Sequence, residues 1–200
     1  MSKATQLELF DIAHRYEVIL ADPPWRYNSR CHHSENKTKF GGGAAAKYPT
    51  MTDAEILAMP VKDLAAFDSM LFLWATGPRL PLAIQVMNSW GFDYITIAFT
   101  WMKQNKSGKG LFFGTGYYTK HNAELCLLGK RGNGLKPAVN TVSSAVLTPL
   151  QEHSRKPEVV HERINQLYPH TSKLELFARR SAPGWSIWGN QVQSDINLVA

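Results

Sequence analysis

A chain of 200 residues that is 44% hydrophobic and 11% aromatic can bury a sizeable core, which fits one domain over residues 1–200 and excludes a mainly disordered protein. Its formal net charge of +6 and pI near 9.3 favour an anionic partner. Cys31 and Cys126 make no spaced disulfide or metal pattern, and neither a signal-type apolar core nor a membrane-length run occurs, so the expectation is a soluble, cytoplasmic protein with no membrane role and no metal.

Residues 1–16 form a polar lead-in with an apolar patch at Leu7, Leu9, Phe10 and Ile12; Asp11, by residue type, reads as a surface aspartate. Glu17-Val18-Ile19-Leu20-Ala21 predicts a buried strand. Asp22-Pro23-Pro24-Trp25-Arg26-Tyr27 falls where that strand ends, the place at which open α/β sheets bind ligands. Proline fixes its own φ and holds the residue before it extended, so the Asp22 side chain and the Pro23 carbonyl can face one point and accept two hydrogen bonds. A planar exocyclic amine, such as that of adenine, cytosine or an amide, offers two donors, and Trp25 or Tyr27 can supply a stacking face for a flat ring. Ordinary turn chemistry uses Asp-Pro-Pro as well, so the tetrapeptide alone decides nothing.

Residues 28–50, rich in Asn, Ser, Lys, Gly and Ala, read as a mobile loop over the site. Cys31-His32-His33 within it lacks the second ligand pair that a zinc site needs. Tyr48 is a candidate contact for a bound base, or equally a hydrophobic staple for the helix that Thr52 and Glu55 announce with a capping box. Ser69 to Ala75 predicts a second strand, Thr76-Gly77-Pro78 a turn, and the following residues a helix to about Trp90 that Gly91 stops. Tyr94 to Met102 reads as a third strand, and strand, helix, strand at this spacing predicts a right-handed crossover in a parallel sheet.

Lys103, Lys106 and Lys109 make a basic loop, with 103–120 expected to be mobile; phosphate contact and a solvated charge run fit those lysines equally. Gly114-Thr115-Gly116-Tyr117-Tyr118 and His121-Asn122-Ala123-Glu124 lead into a strand at Leu125 to Gly129, and Gly132 to Leu150 reads as a polar connection. Pro157 is placed as the first residue of a helix ending near Tyr168, which leaves Lys156 at a helix N-terminus. A lysine there opposes the helix dipole unless an anion is bound. Lys173 to Arg179 predicts another strand, in which Glu175 needs a polar partner if buried.

Asp-Pro-Pro-Trp resembles the catalytic motif of adenine-N6 methyltransferases, in particular the family of the catalytic subunit of the messenger-RNA adenosine methylase, which has many bacterial and phage members. The resemblance runs from about Val18 to Gln191 and rests on further motifs in order: His-x-x-Glu at His121, His-Ser-Arg-Lys-Pro ending at Pro157, Glu-Leu-Phe-x-Arg at Glu175, and Gly-Asn-Gln at Gly189. It implies an α/β, Rossmann-like S-adenosylmethionine-dependent methyltransferase fold, mostly parallel with helices on both faces, and permuted so that the catalytic motif precedes the cofactor strand. Asp22, Pro23, Pro24 and Trp25 would then be catalytic. Tyr27, Tyr48, Lys103, Lys106 and His121 would meet the substrate.

For S-adenosylmethionine, the resemblance implies contacts from Asp11, Asp22, Lys156, Glu175, Arg179, Asn190 and Gln191. Arg180-Ser181-Ala182 departs from the His-Asn of the eukaryotic catalytic subunits. The implied reaction is methylation of the N6 amine of adenine in nucleic acid, in DNA rather than RNA for a compact chain of bacterial or phage type. The alternatives are an RNA adenosine methyltransferase and a non-catalytic nucleic-acid-binding subunit of the same fold. A homo-oligomer or a partner subunit is compatible with either.

Overall fold

The apolar run after Arg15 becomes strand β1 (Tyr16–Ala21), with five of its six side chains buried, because neighbours cover both of its faces. The computed structural model describes residues 15–26, 50–114, 116, 118–151 and 155–198. Asp11, Tyr27, Tyr48, the loop from 27 to 49 with Cys31, His32 and His33, and the Glu152 to Ser154 stretch lie outside the described residues.

Next come helix α1 (Asp53–Ala58), α2 (Val61–Leu64), strand β2 (Ala65–Ala75), a 3-10 turn at Gly77–Arg79 and α3 (Leu80–Ser89). Thr52 and Glu55 form the expected reciprocal capping box. Gly91, at φ +83°, supplies the left-handed residue that ends α3. Strands β3 (Asp93–Gln104), β4 (Ala123–Arg131) and β5 (Ala145–Pro149), helix α4 (Val159–Leu167), and strands β6 (Lys173–Leu176) and β7 (Ser186–Trp188) complete the chain. Helix α4 begins two residues after Pro157, not on it, and α4's Val160 amide bonds the Pro157 carbonyl.

The seven strands lie in the order β5-β3-β4-β2-β1-β6-β7. Pairs β1–β2, β1–β6, β3–β5 and β6–β7 are parallel, so the sheet is mostly parallel as expected. Strand β4 runs antiparallel to both β2 and β3 and separates them. The β2-α3-β3 crossover therefore joins strands that point the same way without being neighbours. Strand β5 lies inside the stretch read as a connection; only alternate side chains of this edge strand are covered, which leaves Val146 as its one buried residue.

Helices cover both faces. Ile56, Val61, Val86 and Met87 from α1–α3 pack with Ile19, Leu71, Leu73 and Leu174 on one side. Val160 and Ile164 from α4 pack with Val18, Leu20, Phe72 and Phe99 on the other.

Candidate active site

On the face shared with α4, the row of alternate side chains in each central strand changes chemistry at the same end of the sheet. Val18 and Leu20 are followed by Asp22, Met70 and Phe72 by Trp74, and Phe99 and Trp101 by Lys103. Strand β4 runs the other way, so its first residues reach that end: Glu124 continues the row of Cys126 and stands opposite Trp101. The antiparallel strand thus delivers a carboxylate to the carboxyl ends of β1, β2 and β3.

Lys156, from the segment before α4, crosses above these strand ends. Its Nζ lies 2.6 Å from Asp22 Oδ2, 3.2 Å from Glu124 Oε2 and 5.5 Å from the centre of the Trp74 ring. Lys103 Nζ lies 2.5 Å from Glu124 Oε1 and 5.1 Å from the centre of the Trp101 ring. Four charges of alternating sign, Lys103, Glu124, Lys156 and Asp22, therefore form a chain, and at most 23% of any of these side chains is exposed. Each cation also rests on an aromatic face.

Burial raises the Asp22 carboxyl above its ordinary range, and Glu124 adds to this, while Lys156 and Arg179 pull the other way. Burial would also raise Glu124, but Lys156 and Lys103 outweigh it and bring that carboxyl down to about 2. Burial disfavours the Lys156 ammonium; the two carboxylates outweigh it and raise its pKa above the ordinary lysine range. Two cations secure Glu124 as an anion, and Asp22 is the carboxylate of the chain more easily protonated.

Backbone geometry sets the rest. The Pro23 carbonyl accepts the Trp25 amide at 2.8 Å, and the Pro24 carbonyl accepts the Met51 amide at 3.2 Å. Pro23 keeps its second lone pair for another donor. Trp25 is 3% exposed and donates its indole N–H to the Trp74 carbonyl at 3.0 Å, so it braces the strand ends as a wall and does not offer an open stacking face.

Two adjoining cavities meet at Asp22, Trp74, Lys156, Phe177, Arg179 and Gln191. The larger, about 290 Å³, also takes in Pro23, Pro24, Trp25, Glu124, Gly189 and Asn190. Gly189 is required there: a Cβ would lie 2.2 Å from the Ala178 carbonyl oxygen, so only glycine lets β7 pass and carry Asn190 and Gln191 to the cavity. The smaller, about 200 Å³, is walled by Arg155, His161, Glu175 and Arg180. Glu175 has the polar partner its burial demands, His161 Nε2 at 2.8 Å. Arg155 Nε and His161 Nδ1 are buried with no hydrogen-bond partner.

Of the residues singled out from sequence, Asp22, Pro23, Pro24, Trp25, Lys156, Glu175, Arg179, Asn190 and Gln191 wall these two cavities. Lys103 differs from a solvent-facing phosphate contact, since Glu124 and Trp101 draw it inward. Lys106 is exposed beyond it. His121 is half-buried at the foot of the 105–122 loop, where its backbone pairs with Gly114. Two further cavity residues, Glu124 and Phe177, stand inside motifs quoted from the sequence but have no role assigned there. Glu124 interrupts the start of an apolar strand, the same signal that marked Glu175. Phe177, at φ +63°, holds a backbone conformation costly for an aromatic residue and stands edge-on to Trp188 at 5.5 Å.

The family model described as MT-A70 matches residues 16–191. The type II methyltransferase M.MunI of Mycoplasma sp is 33% identical over 189 residues, covering 89% of this chain and 78% of that protein. The probable N(6)-adenosine-methyltransferase MT-A70-like of Oryza sativa subsp. japonica is 33% identical over 192 residues, with 94% and 24% covered. The N(6)-adenosine-methyltransferase catalytic subunit METTL3 of Homo sapiens is 30% identical over 181 residues, with 89% and 28% covered. The chain thus spans most of the Mycoplasma relative and about a quarter of the plant and human ones.

Proposed function

The chain belongs to the MT-A70 family, and on that premise we propose that it transfers a methyl group from S-adenosylmethionine to the N6 amine of adenine in nucleic acid, DNA in preference to RNA. The single observation that carries the reading is the half-buried Asp22 carboxylate, paired with Lys156, lining the larger cavity together with Pro23. The weight given to DNA comes from the 78% of the Mycoplasma type II methyltransferase that the match covers.

The cofactor's chemistry fits the residues present. Arg155 Nε and His161 Nδ1, buried without partners, suit a ligand end that carries both an acceptor and a donor, as an amino-acid group does. Arg155, Lys156 and Arg180 would hold its carboxylate, and Arg179, Asn190 and Gln191 its ribose. When bound, S-adenosylmethionine supplies an electrophilic methyl group.

The chain's own residues do the rest. The adenine amine is a weak nucleophile because its lone pair is delocalised into the ring. Hydrogen bonds from its two N–H groups to Asp22 and to the free lone pair of Pro23 hold that lone pair on nitrogen and aim it. As the N–C bond forms and the S–C bond breaks, nitrogen becomes positive, and the fixed Asp22 carboxylate stabilises that charge by roughly 3 to 4 kcal/mol. Asp22, raised by burial, is also placed to receive the proton that N6 then loses. Lys156 keeps Asp22 ionised beforehand and in position.

The test is mass spectrometry of nucleosides from unmethylated DNA, and separately RNA, after incubation with the protein and S-adenosylmethionine. N6-methyladenine in the DNA digest is the expected result. The modified base in RNA alone would overturn the choice of polymer and keep the chemistry; its absence from both would overturn the reading.

A further inference from the structure

Between β3 and β4 the chain leaves the site at Gln104 and returns at Ala123, next to Glu124. The described residues of the loop between them are braced near the base. Asn105 donates its side-chain amide to the Lys109 and Leu111 carbonyls at 3.0 and 3.3 Å, and Gln104 donates to the Gly108 carbonyl at 3.2 Å. Backbone bridges Gln104–Leu111 and Gly114–His121 pinch it twice. Beyond the second pinch stands Tyr118, fully exposed, with Lys120 exposed beside it and Lys106 and Lys109 exposed nearer the base. From Tyr94 to Ala123 the sequence has no carboxylate. A braced, purely cationic protrusion ending in a bare aromatic ring complements a polyanion with flat, stackable groups, which is what a nucleic acid duplex offers.

The reading above requires the target adenine to leave its stack, and the vacated space costs a few kcal/mol unless something fills it. We propose that the 105–122 loop is the duplex-opening element and that the Tyr118 ring enters the gap left by the extruded adenine, while Lys106, Lys109 and Lys120 bind the flanking phosphates. This rests on the adenine-methyltransferase reading. Phe113, 61% exposed on the near side of the Gly114–His121 pinch, stands short of the tip. Tyr118 lies past that pinch, and its hydroxyl makes an exposed ring tolerable in water when no duplex is bound.

The experiment first maps, with the wild-type protein, an adenine that becomes methylated in genomic DNA. It then uses two synthetic duplexes around that site, one fully paired and one with an abasic position opposite the adenine, where extrusion is already easy. Tyr118→Ala is expected to be at least tenfold slower than wild type on the paired duplex and within twofold of it on the abasic one. Tyr118→Trp, which keeps a flat ring, is expected to stay within threefold on both. Thermal stabilisation by S-adenosylmethionine is measured alongside and should be unchanged. Wild-type rates for Tyr118→Ala on the paired duplex, or equal slowing on both duplexes, would overturn the wedge. A wild-type protein that methylates no adenine in DNA would instead overturn the reading beneath it.

Discussion

The two faces of the sheet use the same strands and the same alternation, yet they end differently. On the face toward α1–α3 the rows stay apolar to their last members, Ala21, Ala75, Leu125 and Leu176. On the face toward α4 they end in Asp22, Trp74, Glu124 and Lys103. Polar groups on the first face are closed off: the Trp90 indole N–H bonds the Ile56 carbonyl at 2.8 Å, for example. On the second, Lys156 spans the strand ends, and the cavities open there. One face is scaffold and the other chemistry, so substitutions on the two should separate stability from turnover.

The largest effect should come from Asp22. Asp22→Ala removes the acceptor that stabilises the charge on N6, and roughly 3 to 4 kcal/mol of barrier corresponds to a several-hundred-fold loss of turnover. Lys156 keeps Glu124 as its partner, so folding and cofactor binding should largely survive. Nucleoside mass spectrometry together with thermal stabilisation by S-adenosylmethionine checks both halves. A variant that keeps most of its turnover would erase the distinction between the faces at its strongest point.

Leu73→Ala probes the other face at the same depth of the sheet. Leu73 is fully buried, and its truncation should cost about 3 kcal/mol of stability, read by denaturant unfolding. Turnover per folded molecule should change little, because Leu73 itself lines neither cavity. A fall in turnover comparable with that of Asp22→Ala would show that the scaffold face also sets the chemistry.

Much of this division was legible beforehand. Asp22 was marked by a strand end, Glu175 by a lone carboxylate among apolar residues, and α1 by its capping box, all signals carried by neighbours in sequence. What escaped was non-local. Nothing in Leu125-Cys126-Leu127-Leu128 says that the strand runs against its neighbours, and without that orientation Glu124 has no reason to lie beside Asp22. The inward turn of Lys103 is hidden for the same reason, since a lysine after a strand looks solvent-bound until the carboxylate on the adjacent strand is known. Strand β5 was hidden because an edge strand that buries only Val146 carries almost no apolar pattern.

Lys103 sharpens the comparison from within the site face. Lys103→Met keeps most of the volume over Trp101 but removes one of the two cations that hold Glu124 down at about 2. The Glu124 carboxyl should then titrate at higher pH. Its folded pKa lies below the ordinary carboxylate value, so the charged form contributes stability above about pH 4.5, and that contribution is lost as pH falls toward 2. Wild type should therefore exceed the variant by about 2 kcal/mol at neutral pH, with the gap closing between about pH 4.5 and 2 in acid unfolding curves. A gap independent of pH would mean that Lys103 acts through packing alone.

The smallest effect expected is at the capping box, and it tests whether the scaffold reaches the site through the backbone. Thr52 caps α1 by accepting the Glu55 amide at 3.2 Å, and Met51 beside it donates its own amide to the Pro24 carbonyl. Thr52→Ala removes the cap and should cost about 1 kcal/mol of stability, a few degrees in Tm. The Met51–Pro24 bond does not use the threonine side chain, and Trp25 is fixed separately through the Trp74 carbonyl. Turnover should therefore stay within twofold of wild type. A larger loss of turnover at so small a cost in Tm would mean that the start of α1 positions Asp-Pro-Pro-Trp. The boundary between scaffold and chemistry would then run through Met51 and Pro24, not between the two faces of the sheet.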